Sequence, residues 1–321
     1  MKMLSEKVFR QIRACIYRNG RNVEVSWWKY LFEGGSQDEA AAALKAYQNQ
    51  DGGFGKGLEP DCSNPYSTPA ATYMAYTRLL SVGCDKKEHP MIQGIMKYVE
   101  ETEYFTEHGW CWSIPSNNKY PCQPWYEYPN APWFPKDWPP ENYINGGFIA
   151  FVLKYFEKGN KIYQKTLHLI DYRISLMEKY REFCSFTGEW NQESIEANDW
   201  ADLLDALEEY QIKSQEECRL LKEKFLKIVK ESAISEVYVE IERRIQKRGY
   251  TDQELDRIIG RLSSGRVWDE ERFVYDPVKS MVWDMANGNK QLMNPAILWW
   301  DFISAITDLQ ILLENNRIKA V

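Results

Sequence analysis

The stretch LKAYQNQDGGFGKGLEPDCSNPYSTPAA, Leu44 to Ala71, decides how this chain is read. A strong helix former, Ala40 to Tyr47, runs into four glycines, three carboxylates and three prolines. Nucleotide-binding readings of the glycines fail on context. GGFGKG follows a helix rather than a strand, the G-x-G-x-x-G spacing breaks at Leu58, and no Gly-Lys-Ser/Thr follows. The glycines are therefore read as a turn: Gly52 or Gly53 supplies the left-handed residue after the helix, and Gly55 and Gly57 let the backbone bend sharply. Ser67 or Thr68 then caps a new helix with Pro69 in its first turn, where the missing N–H is not needed.

Outward from this stretch the periodicity is helical almost everywhere. Apolar residues at three- and four-residue spacing predict helices over Val8–Tyr17, Ala40–Tyr47, Ala70–Leu80, Ile92–Val99, Phe148–Phe156, Ile162–Met177, Trp200–Tyr210, Leu220–Val229, Val237–Ile245, Leu255–Leu262 and Ile297–Leu313. Ser36 and Glu39 form a capping-box pattern before the second of these, and Asn294 with Pro295 reads as the start of the last. SNPYSTPAATYMAYTRLL, NYINGGFIAFVLKYF and NPAILWWDFISAITDLQILL each place a polar turn before a very apolar helix. They suggest a weak internal repeat of helix pairs. The class expected is all-α, in one domain spanning residues 1–321. His108 to Tyr143 breaks the pattern, with five tryptophans and eight prolines that exclude a helix interior and predict a long Trp/Pro-rich loop.

QNQDGGF resembles the glutamine–aromatic repeat of the terpenoid cyclase and protein prenyltransferase superfamily, in which a helix ending in Gln precedes Asp-Gly-Gly and Phe or Trp. The resemblance is specific over LKAYQNQDGGFG and extends to the rest only through the helical repeat. It implies an (α/α) toroid of alternating inner and outer helices around an apolar cavity. It also implies a structural role for Gln48, Asp51, Gly52, Gly53 and Phe54, with the Gln48 amide capping a neighbouring helix and the Phe54 ring stacking beside it. The catalytic signatures of those enzymes are missing from the sequence: there is no Asp-x-Asp-Asp, no Asp-Asp-x-x-Asp and no zinc set. A metal- or diphosphate-dependent reaction is accordingly not expected, and no cofactor is.

Candidate chemistry follows the glycines directly. LEPD places Glu59 and Asp61 two residues apart in the turn before the next helix. A carboxyl pressed against aromatic walls resists ionisation and serves as a general acid, with its neighbour ionised. The plainer reading is that both accept backbone N–H groups within the turn. Both readings are open. Aromatic residues are 14% of the chain, more than a core of this size needs, so Trp110, Trp112, Trp125, Trp133 and Trp138 are read either as a ligand wall or as loop packing. Trp299 and Trp300 are adjacent on a helix, so at most one points squarely inward; Trp299 is taken as the substrate-facing ring. The three histidines are too scattered to suggest a metal site.

A net charge of −7 without a long basic run argues against nucleic acid. The seven cysteines are odd in number and lack a C-x-x-C pair, so all are expected as reduced thiols. No leader pattern opens the chain and no apolar run is expected to reach a membrane span, which together predict a soluble, cytoplasmic protein. The function expected is acid chemistry on an isoprenoid or other apolar small molecule. A non-catalytic toroid that binds a ligand or a protein and a carbohydrate-active (α/α) barrel are the alternatives, and oligomeric state is left open.

Overall fold

The structure is a computed structural model that describes residues 2–129, 143–187, 190–263 and 290–318. Among them it is mostly helical, with thirteen α-helices and a three-stranded sheet of very short strands. The described chain divides into two compact units.

The first unit comprises Met1–Tyr98, Ser113–Glu141 and Tyr250–Val321. Its helices are α1 (Glu6–Asn19), α2 (Asn22–Phe32), α3 (Gln37–Lys45), α4 (Pro69–Ser81) and most of α5 (Pro90–Glu101), followed by the chain's last two helices, α12 (Asp252–Ser263) and α13 (Lys290–Glu314). α2 packs on α1, α3 and α13, and α13 also packs on α12 and α1. Aromatic rings build the seam: Phe9, Trp28 and Phe32 meet with centroids 4.6 to 5.7 Å apart. On α13, Phe302, Ile306, Leu309 and Leu312 form the fully buried stripe that helical spacing requires. The two chain ends are tied together. Leu4 N–H donates to the Arg317 carbonyl, and the buried Arg317 guanidinium reaches the Lys2 carbonyl, Asp252 and Asp256.

The second unit comprises Val99–Trp112 and Asn142–Gly249. Its strands β1 (Phe105–Thr106), β2 (Gly109–Cys111) and β3 (Tyr143–Ile144) pair antiparallel in that order. Its helices are α6 (Gly146–Tyr155), α7 (Lys161–Ser175), α8 (Lys179–Thr187), α9 (Trp190–Glu209), α10 (Gln215–Ser232) and α11 (Ser235–Ile245). α9 packs against α6, α8, α10 and α11 and is the core of this unit. At the start of α6, the Asp199 carboxylate of α9 accepts the N–H groups of Asn145 and Gly146 and pairs with Arg173 at 3.1 Å. Gly146 is needed there because a Cβ would stand 1.8 Å from the Asp199 carbonyl oxygen. Burial brings the Asp199 carboxyl up to about 7, against the pull of the Arg173 charge in the other direction.

Four expectations change on contact with the structure. The last helix does not begin at Asn294: α13 starts at Lys290 and carries Pro295 inside it. The missing proline donor falls just beyond the first turn, so one intrahelical bond is given up and the helix continues. Its stretch Pro295–Glu314 is long and apolar enough to cross a membrane by length and composition, contrary to the sequence reading. Half of that stretch is buried inside the protein, and Asp308 within it pairs with Arg261, the pattern of a core helix. The third change concerns cysteine. Cys62 and Cys122 form a disulfide, because an antiparallel bridge sets the two residues opposite each other, while Cys15, Cys84 and Cys218 are free. Finally, α2 and α8 are helices that the periodicity did not suggest.

Candidate functional site

The site grows out of the Leu44–Ala71 turn in the first unit. α3 opens on Ser36, whose hydroxyl accepts the Glu39 N–H, and ends at Lys45. Beyond it Asn49 N–H donates to the Gly53 carbonyl and Gly52 N–H to the Asn49 carbonyl, closing a tight loop. Gly52 has φ of +89°, and a Cβ there would lie 2.1 Å from the Gly94 carbonyl oxygen of α5. Only glycine fits. The Gln48 amide donates to the Gly52 carbonyl at 2.9 Å and accepts from Lys45 Nζ, so it closes its own turn while resting against Gly94. That differs from the helix cap the resemblance implied. Asp51 accepts the Gly53 N–H and the Ser67 hydroxyl, a turn-closing role. Phe54 is fully buried, and its N–H donates to Thr72 Oγ1 on α4. Thr68, rather than Ser67, caps α4 through the Ala71 N–H.

The chain then returns as Leu58–Asn64 and pairs with 121–123. The Gln123 N–H donates to the Asp61 carbonyl at 2.7 Å and the Ser63 N–H to the Pro121 carbonyl at 2.9 Å, with the Cys62–Cys122 disulfide between them. This pairing fixes the Glu-Pro-Asp turn against the short 3-10 segment Pro124–Tyr126. Both acids turn inward: Glu59 is 4% exposed and Asp61 6%.

Asp61 is gripped by two indoles. Trp125 Nε1–H donates to Oδ2 at 3.0 Å and Trp300 Nε1–H to Oδ1 at 2.9 Å, so each carboxylate oxygen holds one tryptophan. Two N–H donors of this kind favour the ionised form of a carboxyl group. Glu59 is placed differently. Its Oε2 accepts the Asp61 N–H, and its Oε1 has no hydrogen bond of ordinary geometry among the described residues. Burial pushes the Glu59 carboxyl well above the usual range, and the adjacent Asp61 charge pushes it further. The Tyr126 phenol interacts with Glu59 and is itself held far above its ordinary value by burial and by the two carboxyls. Within one turn, burial thus favours the proton on Glu59 and the two indole donors favour the charge on Asp61.

A second group of charges stands on α2 and α4. Arg21, just ahead of α2, binds Glu24 through Nε and Nη2 and donates from Nη1 to the carbonyls of Gly57 and Leu58. It therefore anchors the residues immediately before Glu59. Its guanidinium lies over the Trp299 ring at 4.5 Å and the Tyr47 ring at 5.8 Å. Arg78, in the last turn of α4, stacks on Trp27 with Cζ 3.8 Å from the ring centroid. Burial pulls Arg78 down to about 10.

The structure brings together Glu59, Asp61 and Trp125 of the residues singled out in the sequence. Trp299 meets Arg21, while its neighbour Trp300 reaches Asp61. Trp110 and Trp112 belong to the second unit, where Trp110 is fully buried, stacked on Phe105 at 4.2 Å and packed against Phe148 at 5.2 Å. Trp110 is thus a core ring of that unit. Trp133 and Trp138 lie outside the described residues. Tyr126, Arg21, Arg78 and Trp27 carried no sequence signal of their own, although Tyr126 follows a tryptophan that did. Among the described residues no cluster of three His, Cys, Asp or Glu side chains could hold a metal ion.

Compared with protein-family models, with curated proteins and with solved structures, the chain matches none.

Proposed function

We propose that the chain is an enzyme that uses Glu59 as a general acid on an apolar, isoprenoid-like substrate, within an (α/α) arrangement of the terpenoid-cyclase kind. The observation that carries this reading is the asymmetry of the acid pair: a buried, proton-retaining Glu59 beside an Asp61 whose two oxygens are both taken by indole N–H groups. The proton leaves Glu59 for the substrate, and the positive charge that develops is opposed by the Asp61 carboxylate and by electron-rich ring faces. An acid that holds its proton this firmly is better matched to an oxygen, such as an epoxide or an allylic hydroxyl, than to a bare alkene. Tyr126 supplies the polar neighbour that keeps the carboxyl oriented.

The test is turnover of a panel of polyprenyl alcohols and epoxides by the purified chain. Wild-type protein should consume at least one of them, and Glu59→Gln should lower the rate about 10²- to 10⁴-fold, the range general acids contribute. Equal rates in the two proteins, or no conversion of any compound, would refute it. A second reading, a non-catalytic toroid that binds an apolar ligand or a protein, is favoured by one observation. Glu59 Oε1 is shut off from solvent. Binding of a polyprenyl compound without turnover, unaffected by Glu59→Gln, would select that reading.

A further inference from the structure

Arg78 poses a problem of charge. Its guanidinium is half-buried against Trp27, yet among the described residues it makes no hydrogen bond and no ion pair; its one close partner is the ring face. The carboxylate whose charge acts on Arg78, Glu24, is 2% exposed and already held by the Arg21 side chain through three contacts of 2.5 to 3.1 Å. The ring beneath Arg78 has the same defect. Trp27 is 4% exposed and its Nε1–H has no acceptor among the described residues. An unbalanced guanidinium and an unsatisfied indole donor are each expensive to bury. Here they are side by side, because Nε1 belongs to the ring that Arg78 covers.

We infer that Arg78 and Trp27 form the head-group site for a carboxylate-bearing ligand, one oxygen accepting from the guanidinium and the other from Trp27 Nε1–H. Two donor groups stacked at van der Waals distance suit the two oxygens of a carboxylate. The charge count also selects it. Arg21 and Glu24 cancel, leaving Arg78 as a single positive charge for a single negative one, with Glu24 close enough to disfavour a dianion. The charge of the ligand follows from this pair alone. Only its apolar body rests on the function proposed above.

The experiment is calorimetric titration of the full chain with octanoate, octan-1-ol and octyl phosphate, which share a tail and differ in head group. Octanoate should bind at least about tenfold more tightly than the alcohol. Arg78→Met should bring octanoate down to the affinity of the alcohol without lowering the thermal midpoint of the free protein, since it removes a charge that no described residue balances. Trp27→Phe, which keeps a ring face under Arg78 and removes the N–H, should weaken octanoate about three- to tenfold. Glu59→Gln should leave octanoate affinity unchanged, which separates failure of this site from failure of the acid. Octanoate binding no better than the alcohol, or undiminished in Arg78→Met, would overturn the inference, as would an Arg78→Met midpoint several degrees lower. Octyl phosphate binding about tenfold more tightly than octanoate would overturn the assignment to a singly charged head group.

Discussion

Replacing Glu59 by Gln should make the protein more stable at neutral and alkaline pH, and the gain should grow with pH. Gln copies the shape of the protonated carboxyl and retains an oxygen for the Asp61 N–H, but it cannot ionise. The folded wild type holds the Glu59 proton well above 4.5, the value the group returns to when unfolded. A group raised in this way contributes stability that is complete below about pH 4.5 and is lost as pH climbs toward the folded value. The loss amounts to about 1.4 kcal/mol for each pH unit in that window, because unfolding then releases one proton. For a unit of this size that is a shift of about 3–6 °C in midpoint per pH unit. Thermal melts of both proteins from pH 5 to pH 8 should therefore show curves that coincide at the acid end and diverge above it. The Asp199 carboxyl, brought up to about 7, adds the same slope to both proteins and cancels in the difference. A gap that stays flat with pH, or a Glu59→Gln protein that melts lower at pH 8, would refute the claim that burial keeps this acid protonated.

Other outcomes follow from the packing. Phe54→Ala empties a fully buried site and should cost about 3–5 kcal/mol, read by urea unfolding. Gly52→Ala forces a Cβ onto the Gly94 carbonyl at 2.1 Å from a backbone of φ +89°, and should cost about 3 kcal/mol or more by the same assay. Asp199→Ala strips the acceptor from the Asn145 and Gly146 N–H groups and leaves Arg173 with Glu196 alone, so a loss of about 2–4 kcal/mol is expected, against a smaller loss for Asp199→Asn, which keeps one oxygen. Reducing the Cys62–Cys122 bridge, which spans a separation of 60 residues, should lower stability by about 4 kcal/mol in a melt with and without dithiothreitol.

What could be read from the sequence was local. The helices with three- and four-residue apolar spacing and a recognisable cap appear where expected, as with Ser36 before α3 and Thr68 before α4, because capping and periodicity act within a turn or two. α2 escaped because its start is an arginine rather than Ser, Thr, Asp or Asn, and because its tryptophans crowd the spacing. The Glu-Pro-Asp turn was legible as chemistry from residue type alone. Its surroundings were not, since Gln123, Trp125 and Tyr126 come to it through a pairing about sixty residues away and Trp300 from the last helix. The choice between Trp299 and Trp300 turned on helix phase, a rotation of roughly 100° per residue that only packing settles. Arg78 and Trp27 belong to different helices, and nothing in either segment announces the other.

The most direct test is an infrared titration of the carboxyl groups, comparing wild type with Glu59→Gln in the free protein at neutral pH. The wild type should show a protonated carboxyl stretch that the variant lacks and that fades at a pH well above the ordinary carboxyl value. Should the two spectra match in that region, Glu59 is ionised like any surface carboxylate, and the division of the pair into acid and anion is wrong.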